Sequence, residues 1–328
     1  MIITKTPFRV SFAGGGSDMA PFYEKYGGCV LSTSINKYMY ISIHPYFDET
    51  KTLLKYSENE LVDHPSEIRH TIFRQVLTDL GIHGVEISTT ADVPGGTGLG
   101  SSSTFTVGLL HTLFCYQGKY VSKGKLAELA CRIEIEKLGN PIGKQDQYAA
   151  AYGGLNFIRF NQDGSVTVEP VVMPVDALRR LEGELMMFYT GTSRSANPIL
   201  AEQKRNLEEG VKTQVLRRMC GLAEELRESM LKGDLSVFGE ILHENWRLKK
   251  ELAGGISSPE IDGLYELARK HGASGGKLLG AGGGGFLLFC CPKERQAELE
   301  SALPLKPFAF RFERDGASVV YIGDKYWR

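Results

Sequence analysis

The sequence predicts an α+β fold in two parts, and three features carry that expectation. Strand patterns dominate residues 1 to about 90, a glycine-rich loop joins one of those strands directly to a helix, and the second half turns helical before a second glycine cluster feeds an apolar strand. At 328 residues the chain can bury a substantial core and has room for two domains or one composite globule. Turn signals in "NQDGSV" and "MPVDAL" set a boundary near residues 165 to 185, so lobes are expected over 1–175 and 176–328.

Each element follows from its local pattern. In "NKYMYISIHP", Met39, Ile41 and Ile43 alternate with Tyr38, Tyr40 and Ser42, the period-2 signal of a strand with two unlike faces. "GVEISTTADV" is a second strand and leads straight into the glycine loop. A helix is expected from Ser103 through "TFTVGLLHTLFCYQG", stopped by Gly118. In "SKGKLAELACRIEIEKLG", Leu126, Leu129, Ala130 and Ile133 form an apolar helical stripe. "QDQYAAAYGG" reads as a short helix ended by Gly153 and Gly154, and "LNFIRF" as the strand after it. From Ser195 to about His271 the chain is helical, with Ser258 as N-cap and Pro259 at N1 of the last helix. "GGKLLGAGGGGFLLFCC" then supplies the second glycine cluster and its strand, and "ASVVYIG" closes the fold.

Composition narrows the function. A hydrophobic fraction of 42% and a charged fraction of 23% are those of a globular protein. The net charge of -1, without a block of like charge, lacks the electrostatic footprint of a nucleic-acid binder. No apolar run approaches the roughly 20 residues of a membrane span, and "MIITKTPFRVSF" has no signal-peptide core, so a cytoplasmic protein is expected. Six cysteines without C-x-x-C spacing, mostly in apolar settings such as "LLFCCP", read as reduced core residues rather than zinc ligands.

Four segments carry chemistry. "PGGTGLGSSST", Pro94 to Thr104, lacks the lysine of the P-loop pattern. Its glycines can nevertheless wrap backbone N–H groups around an anion at a helix N-terminus, and its serines offer hydroxyls for Mg²⁺; an ordinary serine-capped loop has the same composition. "PFRVSFAGGGSD" brings backbone close to a ligand between Arg9, suited to a phosphoryl group, and Asp18, suited to paired hydroxyls; either residue could instead form a surface ion pair. In "EIEKLGNPIGKQDQYAAAYGG", Asp146 sits near a helix N-terminus, where a carboxylate can orient or deprotonate a hydroxyl or simply favour the helix. Glu134 flanks the apolar stripe, and periodicity leaves its direction open. Gly282 to Gly285 make a loop that can approach a substrate or form a tight turn.

Together these segments resemble the GHMP kinase superfamily, which includes galactokinase, mevalonate kinase and homoserine kinase: "PFRVSFAGGGSD", "PGGTGLGSSS" and "LLGAGGGGF" match its three signatures in order. The resemblance implies a two-lobed GHMP kinase fold, with an N-terminal ribosomal protein S5 domain 2-like lobe and a C-terminal ferredoxin-like lobe with added helices. It implies that Pro94, Gly95, Gly96, Thr97, Gly98, Leu99, Gly100, Ser101, Ser102 and Ser103 hold the ATP phosphates. Ser102 and Glu134 would bind Mg²⁺, Asp146 would be the catalytic base, and Arg9 would stand near the transferred phosphoryl group. Gly15, Gly16, Ser17 and Asp18, with Gly282, Gly283 and Gly284, would contact the substrate.

Galactokinases read G-E-H-T-D-Y where this chain reads "AGGGSDM", which argues against galactose. The F-x-GGG-[ST]-D variant, with "STSINKYMYI", "YTGTSRSA" and "HENWRLKKELAGGISSPEID", is similar to the bacterial D-glycero-D-manno-heptose 7-phosphate kinases. That resemblance implies phosphorylation of the anomeric C1 hydroxyl of a sugar phosphate to a 1,7-bisphosphate for GDP-heptose synthesis. Thr192, Ser193 and Arg194, or else Lys37, are the candidates for the distal phosphate. Another sugar 1-kinase such as L-fucokinase, whose motif commonly carries a tryptophan absent here, and a non-catalytic sugar and nucleotide sensor of the same fold are the alternatives.

Overall fold

The computed structural model describes residues 1–192 and 196–323. Its first half opens with strand β1 (Ile2–Ala13), helix α1 (Ala20–Tyr26) and the long strand β2 (Gly28–Pro45), followed by the hairpin β3 (Thr52–Lys55) and β4 (Asn59–Val62). Helix α2 (Thr71–Leu80) leads to β5 (Val85–Ala91), and the glycine loop then feeds α3 (Ser101–Tyr116). Helix α4 (Lys123–Cys131) widens into a π-helical segment, Arg132–Lys137, before α5 (Gln145–Tyr152), β6 (Leu155–Phe160) and β7 (Val166–Pro170).

The second half begins with α6 (Val175–Glu184) and β8 (Leu185–Tyr189), then runs through α7 (Asn197–Glu208), α8 (Thr213–Leu231), α9 (Phe238–Lys250) and α10 (Pro259–Lys270). Strands β9 (Gly275–Leu278) and β10 (Phe286–Cys290), helix α11 (Lys293–Ala302), and strands β11 (Phe312–Glu313) and β12 (Ser318–Ile322) complete it. As the sequence indicates, Ser258 caps α10, its hydroxyl accepting from Ile261 N at 3.3 Å, with Pro259 in the first turn.

Two sheets result. The first runs β12-β1-β2-β5-β3-β4, and β2 is long enough to pair β6 through residues 28–33 and β5 through residues 39–45. The second is the antiparallel sheet β8-β10-β9. Strands β11 and β12 return to pair with β2 and β1, so the end of the chain belongs to the first sheet.

Residues 1 to 90 are less purely strand than their pattern suggests. Helix α2 buries Ile72, Phe73, Val76 and Leu77 on one face, and ends at Gly81, in the left-handed region with φ +62°. Helix α3 is apolar nearly all round because it is buried nearly all round, packing on β1 and β2. On β1 the period-2 alternation sends Phe8, Val10 and Phe12 into the core between the sheets, while Arg9 and Ser11 face a cavity. Among the described residues no helix is long and apolar enough to cross a membrane. All six cysteines are free thiols.

Candidate active site

The cavity, of about 440 Å³, opens where the end of β1, the loop before α3, the start of α5 and the glycine turn between β9 and β10 converge. Segments more than 260 residues apart in sequence thus share one wall, with Arg9 and Gly282 both lining it.

The loop before α3 has a backbone geometry that suits an anion. Gly96, Gly98 and Gly100 take φ of +74°, +85° and +81°, so every second residue lies where a side chain is strained. Gly100 is the N-cap and offers no side chain; its carbonyl accepts from Thr104 N at 2.9 Å. The amides of Ser101, Ser102 and Ser103 therefore begin the helix without intrahelical acceptors, and all three residues line the cavity. The helix starts at Ser101, two residues earlier than its pattern indicates.

The loop is clamped from the other half of the chain. A Cβ at Gly98 would stand 2.4 Å from Leu279 O, and one at Gly280 would stand 2.3 Å from Gly98 Cα. Neither position tolerates a side chain, because backbone lies against backbone. Gly282 and Gly284 line the same cavity, whereas Gly283 is buried and donates to Ile256 O at 3.0 Å.

Arg9 joins this loop to the carboxylate on α5. Its Nε and Nη2 donate to Asp146 Oδ1 and Oδ2 at 2.7 and 2.8 Å, and its Nη1 donates to Gly98 O at 2.7 Å. The guanidinium is nearly buried, so this bidentate pair is shielded from water and fixed in orientation.

Asp18 completes the acidic side. It is 2% exposed and accepts from Gly16 N at 2.9 Å and from Gln145 N at 3.1 Å. Burial pushes its carboxyl above the ordinary value, and the Asp146 charge adds to that rise against the lowering by the two backbone N–H groups. Gly143 is required beside it: a Cβ there would stand 1.9 Å from Asp18 Oδ2.

Glu134 answers the question its periodicity leaves open. It projects inward from the π-helical segment, is fully buried, and accepts from Ser102 Oγ at 2.6 Å and from Gln147 Nε2 at 2.8 Å. Burial raises its carboxyl above the ordinary value, against the lowering by the Ser102, Gln147 and Ser103 hydrogen bonds. This donor set fits Mg²⁺, which prefers hard oxygens and is held in nucleotide sites by one or two protein ligands, the remainder being phosphates and water. Ser102 Oγ and Glu134 Oε1 are the atoms that would hold it.

Other expected residues lie elsewhere. Ser17 turns away from the cavity, its hydroxyl donating to Cys29 O at 2.9 Å and accepting from Cys29 N at 3.0 Å. Leu99 and Thr97 are buried, Thr97 donating to Pro94 O at 3.0 Å, and Pro94 and Gly95 form the exposed outer part of the loop. They shape the loop rather than line the cavity. Thr192 accepts from Gly285 N through its carbonyl at 2.9 Å, and Lys37 stacks 4.9 Å over the Phe308 ring, both outside the cavity wall. Ser193 and Arg194 lie outside the described residues. Two lysines that the sequence does not advertise, Lys249 and Lys277, line the cavity.

The family of GHMP kinases N terminal domains matches residues 68–154, and that of GHMP kinases C terminal domains matches residues 222–308. D-glycero-alpha-D-manno-heptose 7-phosphate kinase of Campylobacter jejuni is 31% identical over 92% of this chain and 93% of its own. The chain belongs to the GHMP kinases. As a member it has their two-domain fold and is a phosphotransferase with an alcohol group as acceptor. The crystal structure of a D-glycero-D-manno-heptose 1-phosphate kinase from Bacteroides thetaiotaomicron superposes on this kinase with a TM-score of 0.82 and 27% identity, covering 99% of this chain and all of that one. The bifunctional fucokinase/GDP-fucose pyrophosphorylase of Arabidopsis thaliana is 29% identical over 90% of this chain but only 30% of its own length. Sugar kinases and mevalonate kinases both stand among the relatives of this GHMP kinase.

Proposed function

We propose that this GHMP kinase transfers the terminal phosphoryl group of ATP to the anomeric C1 hydroxyl of D-glycero-D-manno-heptose 7-phosphate. The product is the 1,7-bisphosphate that feeds GDP-heptose for surface glycans, made in the cytoplasm. The observation that carries the chemistry is the Arg9 fork, which ties the Asp146 carboxylate to Gly98 in the anion loop. The choice of sugar rests on the likeness to the Campylobacter jejuni kinase over 92% of the chain. A division into lobes 1–175 and 176–328, with β11 and β12 handed back to the first sheet, belongs to the same proposal.

The roles follow from placement. The amides of Ser101 to Ser103 and the loop glycines receive the polyphosphate. Asp18 accepts from sugar hydroxyls, and an oxygen of Asp146 orients the anomeric hydroxyl and takes its proton. Arg9 holds that carboxylate and sets positive charge beside the group in transit. Ser102 and Glu134 would hold Mg²⁺, which when bound would supply charge neutralisation on the nucleotide phosphates. Because the transition state of phosphoryl transfer is loose, alignment and electrostatics outweigh the base, and a rigid carboxylate-to-loop link is the feature such a reaction needs.

The test is a panel of sugars and sugar phosphates with Mg-ATP, with ADP release measured and the phosphorylated position read by NMR. The proposal expects the heptose 7-phosphate to give the highest kcat/KM and a new phosphate on C1. Preference for L-fucose would select the fucokinase reading, and sugar-independent absence of ADP release would select a non-catalytic sensor.

A further inference from the structure

Lys249, on α9, and Lys277, on β9, are 9% and 3% exposed, yet both reach the cavity. Lys249 Nζ donates to Leu278 O at 3.1 Å and to Gly280 O, and Lys277 Nζ donates to Phe12 O at 3.0 Å. Among the described residues no carboxylate pairs with either. An ammonium carries three donors, so both lysines hold N–H groups in reserve beyond these carbonyls.

The adjoining wall is short of partners as well. Ser11 lines the cavity from β1 at 6% exposure, and its buried hydroxyl has no partner among the described residues. Behind that wall, Asn245, one turn before Lys249, accepts from Gly14 N through Oδ1 at 3.2 Å while its Nδ2 has no partner among the described residues. Buried amines that lack a counterion for their charged form and buried hydroxyls without a partner both cost free energy, and proteins retain them where a ligand makes up the deficit. Burial, reinforced by the Arg9 guanidinium, pushes the Lys249 ammonium down to about 7. Burial, then Lys249 and Arg9, holds Lys277 well below its ordinary range. Among the described residues, the other titratable groups on the cavity wall are Arg9, Asp18, His70 and Asp146.

We propose that Lys249, Lys277 and the Ser11 hydroxyl form a second phosphate-binding site in the cavity, separate from the amides before α3. Its ligand is a phosphate dianion, from one of two sources: the ester the acceptor sugar already carries, or the phosphoryl group in transit. The inference rests on the kinase reading and deepens it, because the nucleotide loop accounts for only one end of a reaction with phosphate on both partners.

The first measurement uses inorganic sulfate, a tetrahedral dianion that does not titrate near neutrality, added to enzyme saturated with MgADP. Calorimetry at about pH 8 in two buffers of different ionisation enthalpy should show uptake of roughly one proton per sulfate bound, as the lysines recharge. Lys277→Met and Lys249→Met should each weaken sulfate binding at least about tenfold and reduce the uptake. Unchanged affinity and uptake in both variants would overturn the proposal by returning the proton to His70 or Asp18. Lys249 also anchors the turn at Gly280, so Lys277→Met is the cleaner variant; it gives up only the hydrogen bond to Phe12 O, and its melting temperature is measured alongside as the control that the fold is kept.

Kinetics separates the sources. A KM rise for a sugar phosphate but not for the same sugar without phosphate assigns the site to the acceptor's ester. An equal fall of kcat on both sugars assigns it to the group in transit, and a change confined to the KM for MgATP overturns the assignment. The sulfate result involves no sugar, so a mistaken choice of heptose leaves it standing.

Discussion

Gly98→Ala tests whether the second glycine cluster acts by holding the nucleotide loop. The substitution demands a left-handed φ of +85° from a residue with a Cβ, which costs about 1–2 kcal/mol by itself. The new Cβ would meet Leu279 O at 2.4 Å, Leu279 C at 2.8 Å and Gly280 N at 3.2 Å, all backbone atoms that cannot rotate aside. The nearest contact is about 1 Å too short, so the loop or the turn must move by that much, and misplacement of a reacting group on this scale costs about 10² in rate. Gly98 O also accepts from Arg9 Nη1, so the shift is transmitted to Asp146. A coupled ADP-release assay should show kcat/KM for MgATP falling by about 10² or more. The control is Gly81→Ala, which has a left-handed φ of +62° with nothing within 4 Å of the new atom. It should lower stability by about 1 kcal/mol and leave kcat/KM unchanged. A Gly98→Ala enzyme with wild-type kinetics would refute the clamp.

Asp146→Asn is isosteric but removes the proposed proton acceptor and turns one of the two oxygens that accept from Arg9 into an N–H donor; it should lower kcat by about 10² to 10⁴ with nucleotide affinity preserved, and equal turnover would reassign the proton. Gly143→Ala drives a Cβ to 1.9 Å from Asp18 Oδ2, so KM for the sugar should rise about tenfold or more while KM for MgATP stays constant; matching changes in both would detach Asp18 from the sugar. Glu134→Gln should abolish most activity yet stabilise the fold. Burial raises the folded Glu134 carboxyl above its unfolded value, so its ionisation costs stability as pH rises from the ordinary 4.5 upward. The variant's gain in melting temperature should therefore be larger at about pH 8 than at about pH 5, and a pH-independent gap would contradict the buried-charge account.

The sequence carried the strand-loop-helix unit around the nucleotide loop because glycine density, strand alternation and the helical run all signal locally. Arg9 and Asp146 are 137 residues apart, and only the resemblance of their two motifs to one family anticipates that they meet. The direction of Glu134 was not legible, since the π-helical turn over Arg132–Lys137 departs from the 3.6-residue period on which side-chain direction is read. Helix α2 was legible in principle from Ile72, Phe73, Val76 and Leu77, but it is short and lies in a strand-rich stretch. Lys249 and Lys277 were hidden for a different reason. A lysine among "RLKKEL" looks like a solvated helix face, and one between glycines looks like a loop; only packing of α9 and β9 against the cavity makes them buried.

The most direct test is a crystal structure with a non-hydrolysable ATP analogue and a sugar phosphate bound together. The account predicts the γ-phosphate over the amides of Ser101 to Ser103, the acceptor hydroxyl against Asp146, and Arg9 within hydrogen-bonding reach of the group between them. A polyphosphate seated away from that helix end, or a sugar whose hydroxyl points away from Asp146, would contradict it.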